Sequence, residues 1–218
     1  MNRSGFAALL VVSLLGMGMM YGIPSDRIIL TSWRVQSSVV DHAPAATETV
    51  QPRIPPRRAP DGTHSVLGPP SLSAEQIDRI LALRQSPAAG TGAIWIELGS
   101  VYGIDPAYAL AFFFHESGAG TNPRWAGRKP DGSTTHNVGN IICSGYPTCY
   151  GRFRDYASWR EGIEDWYRLI AVEYVEQRGV YTVETIVPIY APSIENNVGA
   201  YINAVNFFVA EWRAGRYP

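Results

Sequence analysis

Residues 110–121, LAFFFHESGAGT, place one carboxylic acid, Glu116, at the end of a strongly apolar run and just before a glycine-rich turn. Asp105 is a suitable N-cap, Pro106 suits the first helical position, and nothing from Ala107 to His115 breaks a helix. Gly118 and Gly120 supply the backbone angles that end one, so Glu116 is expected in its last turn. A carboxylate there faces the negative end of the helix dipole, and Phe112 and Phe113, one turn earlier, solvate charge poorly. Both effects raise the pKa. An acid that keeps its proton near neutral pH can give it to a leaving oxygen, as glycoside cleavage requires. The plain alternative is a solvated, idle helix-end glutamate, and position alone does not choose between the two.

The neighbouring reactive groups have quieter readings. His115, beside a phenylalanine run, reads as a hydrogen-bonded structural residue, and Ser117 as helix-end chemistry, because no base stands at catalytic spacing from it. The pair His115 and Glu116 lacks the second histidine of a zinc-protease helix, since position 119 is Ala119. Cys143 and Cys149 enclose a short loop containing Gly145 and Pro147. In an exported protein they are expected to form a disulfide, and without a nearby histidine pair they fall short of a tetrahedral metal set. No metal or organic cofactor is expected.

The chain has 218 residues, a net charge of −1 and 17% charged residues, with Lys129 its single lysine. This balance argues against a nucleic-acid partner, which calls for a basic patch or stripe. After Arg3, 18 uncharged residues run from Phe6 to Ile23. Residues 1–34 are therefore expected to be a signal peptide or a membrane anchor with its flank. The missing A-x-A cleavage pattern favours the anchor, with the globular part outside the cytoplasm. Residues 35–70 hold seven prolines and read as an extended, disordered spacer. Its 36 residues at ~3 Å each would reach ~100 Å from a membrane.

The folded domain is expected over 71–218 and mainly helical. Ser73 to Gln76 form a capping-box pattern before Ile77, Ile80 and Leu81. A second apolar helix carries Ile94, Trp95, Leu98 and Tyr102 and ends at Gly103; the third carries Glu116. Residues 122–153, rich in Gly, Pro, Asn, Ser and Thr, read as an irregular lobe with a short hairpin. Ser158 to Glu161 repeat the capping pattern before Ile163, Trp166 and Ile170. A short helix near 183–189 and a last one near 198–212 complete the domain.

Four segments of the chain resemble a known family. HESGAGT at 115–121 is similar to the H-E-[ST]-G-x-G-T segment of bacterial endo-β-N-acetylglucosaminidases, lysozyme-like enzymes that cut the glycan strands of peptidoglycan. HNVGNI at 136–141, FRDYASWREGIEDWYRLI at 153–170 and IYAPSIENNVGAYI at 189–202 resemble further segments of that family, in its order. The resemblance implies a lysozyme-like fold in which Glu116 donates a proton to the glycosidic oxygen. It also implies that Tyr190 lies in the cleft near the sugar being cleaved, and that Asn140 and Ile141 help form the cleft wall.

One departure bears on mechanism. Many relatives carry a second glutamate shortly before the segment at 153–170, and GYPTCYGRF at 145–153 has no carboxylate. Asp131 is the lobe's other acid, although an Asp beside a glycine is ordinarily a turn residue. A single-acid mechanism, with the substrate's N-acetyl group assisting departure, fits better than a carboxylate pair. The same arrangement also fits a lytic transglycosylase. A muramidase on the same fold, and a non-catalytic wall-binding module that uses the cleft only to hold glycan, are rival hypotheses. Trp125 and Tyr146, in the irregular lobe, and Tyr201 are candidates for sugar contact; Trp159, Trp166, Phe207 and Trp212 read as core.

Overall fold

The computed structural model describes residues 54–192 and 197–218. The apolar run 6–23, the upstream part of the spacer and residues 193–196 lie outside the described residues. Among the described residues no helix is long and apolar enough to cross a membrane.

Among the described residues six α-helices and one small hairpin follow in order: α1 (Ala74–Leu83), α2 (Gly92–Tyr102), α3 (Pro106–Ser117), β1 (Cys149–Tyr150), β2 (Phe153–Arg154), α4 (Trp159–Arg168), α5 (Val183–Tyr190) and α6 (Val198–Arg213). The local signals act as their chemistry requires. Ser73 accepts from the Gln76 amide while the Gln76 side chain reaches back, a complete capping box. Ser158 likewise caps Glu161, but the Glu161 carboxylate turns to the Ala157 amide at 3.1 Å. Helix α4 runs on into a π-helical stretch, Leu169–Gln177, which the periodicity does not announce; it turns Ile170, Ala171, Tyr174 and Val175 inward.

Helix α3 is the centre of the described domain, with ten of its twelve residues buried. Its consecutive phenylalanines reach three different aromatic groups. Phe112 meets Trp166, Tyr190 and Tyr201 at ring separations of 5.2–5.4 Å. Phe113 meets Trp95 and Trp159, and Phe114 packs on Phe208 and Trp212. Trp166 and Trp212 are core residues as expected, whereas Phe207 is 52% exposed on the outer face of α6. Helix α6 runs antiparallel along α3. At the start of α3, the buried N-cap Asp105 accepts from Ala107 N and Ser71 N at 3.0 Å and pairs with Arg213 at 2.7 Å.

Part of the stretch read as spacer packs on this domain. Ile54, Val66 and Leu67 are buried, and Ser65 and Leu67 make antiparallel bridges to Thr182 and Ile104. The irregular lobe is tied down by Asp165 on α4, which takes Arg154 at 2.5 Å, the Tyr156 hydroxyl at 2.5 Å, and Arg168. The Cys143–Cys149 disulfide closes the loop before the hairpin.

Replacing Asp105 with Ala removes both the cap of α3 and the partner of Arg213. The loss is expected to be about 2–4 kcal/mol, held below the fully buried case by the exposure of Arg213. Urea unfolding measures it, and a change below ~0.5 kcal/mol, the level of an ordinary surface substitution, would show that α3 is not held from this end.

Candidate active site

The α3 helix ends where the sequence places its end. Gly118 adopts φ 61° and ψ 38°, and its amide bonds back to the carbonyls of Phe113 and Phe114. Ser117 completes that end: its hydroxyl donates to Phe113 O at 3.0 Å and accepts from Gly120 N at 2.8 Å. Glu116 therefore emerges in the last turn and lines a cleft of about 350 Å3 together with Asn140, Tyr190 and Arg152.

Two donors hold the carboxyl. The Tyr201 hydroxyl donates to Oε1 at 2.5 Å, and Asn140 Nδ2 donates to Oε2 at 2.8 Å. Asn140 is itself oriented, because Trp125 Nε1 donates to its Oδ1 at 2.8 Å; this fixes which end of the amide faces Glu116. Burial pushes the Glu116 carboxyl above its ordinary value, and the bonds from Tyr201 and Asn140, which favour the charged form, offset that in part. Burial also pushes the Tyr201 and Tyr190 phenols far up, and the Glu116 charge adds to this, so both remain proton donors.

Asn140 reaches this position through an unusual turn. It has φ 48°, a left-handed conformation that Asn tolerates better than most residues. Asn137, 1% exposed, closes the turn: its Oδ1 accepts from Ile141 N at 2.8 Å and its Nδ2 donates to Ile141 O at 3.0 Å. A Cβ at Gly139 would lie 2.3 Å from the Tyr190 hydroxyl and 2.5 Å from the Trp166 ring, so the chain passes too close for a side chain. Tyr190 donates to Gly139 O at 2.5 Å, joining α5 to the turn.

The expected site residues fall into three groups. Glu116, Asn140 and Tyr190 meet in the cleft. Trp125 and Tyr201, read as sugar contacts, are 4% and 2% exposed and act through Asn140 and Glu116. Ile141 joins the core at 7% exposure, and Ile142, 48% exposed, lines the cleft in its place. Tyr146 stands elsewhere, against Tyr156 and under the Arg154 guanidinium, in a separate hollow with Glu161 and Arg168. Asp131 caps a turn, accepting from Ser133 N and Oγ at 2.9 and 2.7 Å, and those bonds hold its carboxyl below the ordinary value. Among the described residues, Glu116 is the one carboxylate lining the cleft. His115 is exposed, and its ring stacks on Tyr201 with centroids 3.7 Å apart.

Residue-type reasoning passed over Asn137, Gly139 and Arg152. The spacing of Asn137 four residues before Ile141 is the signal that could have found the first.

The raised carboxyl fixes a sign for stability. Unfolded, Glu116 ionises near its ordinary 4.5, whereas the fold favours the neutral acid. Its contribution is complete below that pH and disappears as pH rises through the folded-state pKa. Glu116→Gln, which cannot ionise, should therefore gain stability relative to the wild type as the pH rises above 4.5. Parallel melting curves test this, and a constant difference across that rise would refute it. Tyr201→Phe removes a donor to the charged form and should raise the Glu116 pKa further, as read by carboxyl 13C titration; a fall would contradict the assigned bond.

No family model matches the chain, and no curated protein matches it in sequence. Solved structures do match it in fold. A catalytic mutant of Staphylococcus aureus autolysin E in complex with the disaccharide NAG-NAM has a TM-score of 0.54 at 12% identity, covering 70% of this chain and 71% of that one. The same autolysin in complex with the muropeptide NAM-L-Ala-D-iGlu gives 0.54 at 13% identity with the same coverage. A C-terminally truncated glycoside hydrolase domain from Salmonella typhimurium FlgJ has a TM-score of 0.42 at 18% identity, covering 63% of this chain and 98% of that one. The fold is thus the one the sequence resemblance implies, a lysozyme-like helical domain with a small β lobe, shared with the staphylococcal autolysin.

Proposed function

We propose that this protein is a peptidoglycan hydrolase that cleaves β-1,4 glycosidic bonds after N-acetylglucosamine, with Glu116 as general acid. The observation that carries the reading is a carboxyl group at a cleft, kept above its ordinary pKa by burial and aimed by Tyr201 and Asn140. A group so placed can hold a proton at neutral pH and deliver it to the bridging oxygen as the bond breaks. The fold shared with an autolysin whose complexes contain NAG-NAM and NAM-L-Ala-D-iGlu supports the choice of substrate class.

The mechanism that best fits one acid uses the substrate's own acetamide. As Glu116 protonates the leaving oxygen, the acetamide carbonyl oxygen closes on the anomeric carbon. Water then opens that ring, and Glu116, now a carboxylate, takes the water's proton. Tyr190, at the cleft wall beside Gly139, positions the sugar ring. The protein would work outside the cytoplasm, held to the membrane by its N-terminal apolar run or released after its removal.

Mass spectrometry of fragments released from purified peptidoglycan tests the reading. New reducing N-acetylglucosamine ends are expected, and Glu116→Gln should lower their formation by about 10²–10⁴-fold. Reducing muramic acid would make the protein a muramidase, anhydromuramic acid a transglycosylase, and binding without new ends a wall-binding module. Undiminished cleavage by Glu116→Gln would remove Glu116 from the chemistry.

A further inference from the structure

Apart from the Glu116 cleft and the hollow beside Tyr146, a further hollow of about 290 Å3 opens where the loop after α1, the turn after α3 and the irregular lobe meet. Its polar lining comes from Arg84, Gln85, Thr121, Arg128 and Thr134, and among the described residues no carboxylate lines it. Among the described residues neither arginine belongs to an ion pair there, whereas Arg154, Arg160, Arg168, Arg213 and Arg216 all have acidic partners. Arg84 follows the last residue of α1, where the helix carbonyls favour a cation, and its guanidinium stacks over Phe114 at 5.4 Å. That stack orders the cation without using any of its N–H donors. Around the hollow Gln85, Gly120 and Gly132 have positive φ, at 53°, 80° and 87°, where the chain leaves α1, leaves α3 and turns after Asp131.

We infer that this hollow binds the acidic peptide attached to the glycan, with a peptide carboxylate pairing with Arg84 and Arg128 while the sugar chain lies against Glu116. The inference rests on the glycan reading above and narrows it, from bare glycan to the peptide-substituted strand. Two guanidiniums lining one hollow, with no carboxylate in that lining among the described residues, are complementary to a carboxylate. The Gln85 amide can donate and accept, the Thr134 hydroxyl, which accepts from His136 N at 3.3 Å, can still donate, and the Thr121 hydroxyl, which donates to Gly118 O at 2.7 Å, can still accept, a mixture that suits a peptide backbone; a phosphodiester linkage has only acceptors to offer. Reach is adequate. Thr121 stands five residues after Glu116, so the two backbones lie within roughly 18 Å at most, a span of the order that a sugar ring, its lactyl bridge and two extended residues cover together.

The test uses the muropeptide NAM-L-Ala-D-iGlu and a neutral N-acetylglucosamine oligomer. In calorimetric titrations of the Glu116→Gln protein, adding R84Q and R128Q together should weaken muropeptide binding about tenfold, and R84K with R128K should retain most of it. Added salt should weaken the parent protein's binding and barely affect the double Gln variant. With Glu116 intact, the same double Gln variant should cleave the neutral oligomer as the wild type does and lose kcat/KM, through KM, on peptide-bearing strands. Unchanged muropeptide affinity, equal losses on both substrates, or tighter binding of a glycerol phosphate oligomer than of the muropeptide would overturn the inference. Should Arg84 prove necessary for folding through its stack on Phe114, R128Q alone, checked by circular dichroism, carries the same comparison. A wild type that cleaves neither substrate would defeat the proposed activity, and the muropeptide titration would still decide this site.

Discussion

The organising constraint is that α3 is apolar on nearly every side and must be enclosed, while its last turn carries a carboxylic acid. Enclosure removes water from Glu116, and burial is the first cause of its raised pKa. A carboxyl left there with no partner would be a plain penalty. Tyr201 and Asn140 give it order and a direction, and in doing so reclaim part of the lost solvation. The resulting balance, an acid held in one orientation yet still inclined to keep its proton, is what proton donation to a leaving group requires.

Helix α6 acts on both ends of this arrangement. Its early residue Tyr201 meets Glu116, and its last residue Arg213 meets the N-cap Asp105. At 1.5 Å per residue, the twelve-residue steps available along α6 match the length of α3, about 18 Å in each case. The ring contacts of Phe112 and Phe114 with Tyr201 and Trp212 fill the space between those polar ends. The donor to the acid and the partner of the far cap therefore stand on one helix, with aromatic packing between them.

The irregular lobe supplies precision by other means. Among the described residues it has a two-residue pairing of strands and two isolated bridges, Arg128 with Thr134 and Ile142 with Phe153, so side chains supplement a short sheet ladder. Asn137 closes the turn that presents Asn140, Asp165 gathers Arg154 and Tyr156 onto α4, and the disulfide shortens the loop before the hairpin. These bonds satisfy backbone groups that would otherwise be orphaned and leave little freedom at the one amide that faces the acid.

By itself, the sequence determined the elements whose causes are local. Ser73, Asp105 and Ser158 cap the helices they precede, Gly118 ends α3, and Cys143 and Cys149 lie close enough along the chain to meet. Glu116 in a last turn behind phenylalanines was legible for the same reason, since helix periodicity fixes its neighbours. Tertiary structure decided everything that depends on who faces whom across the core. Trp125 and Tyr201 looked like sugar-stacking aromatics because residue type cannot say whether a polar tip points to solvent or to a carboxyl eighty-five positions away. Nor could spacing reveal that Ile142 rather than Ile141 meets the cleft. That choice is made by Asn137, whose side chain holds both backbone groups of Ile141 and turns its side chain into the core.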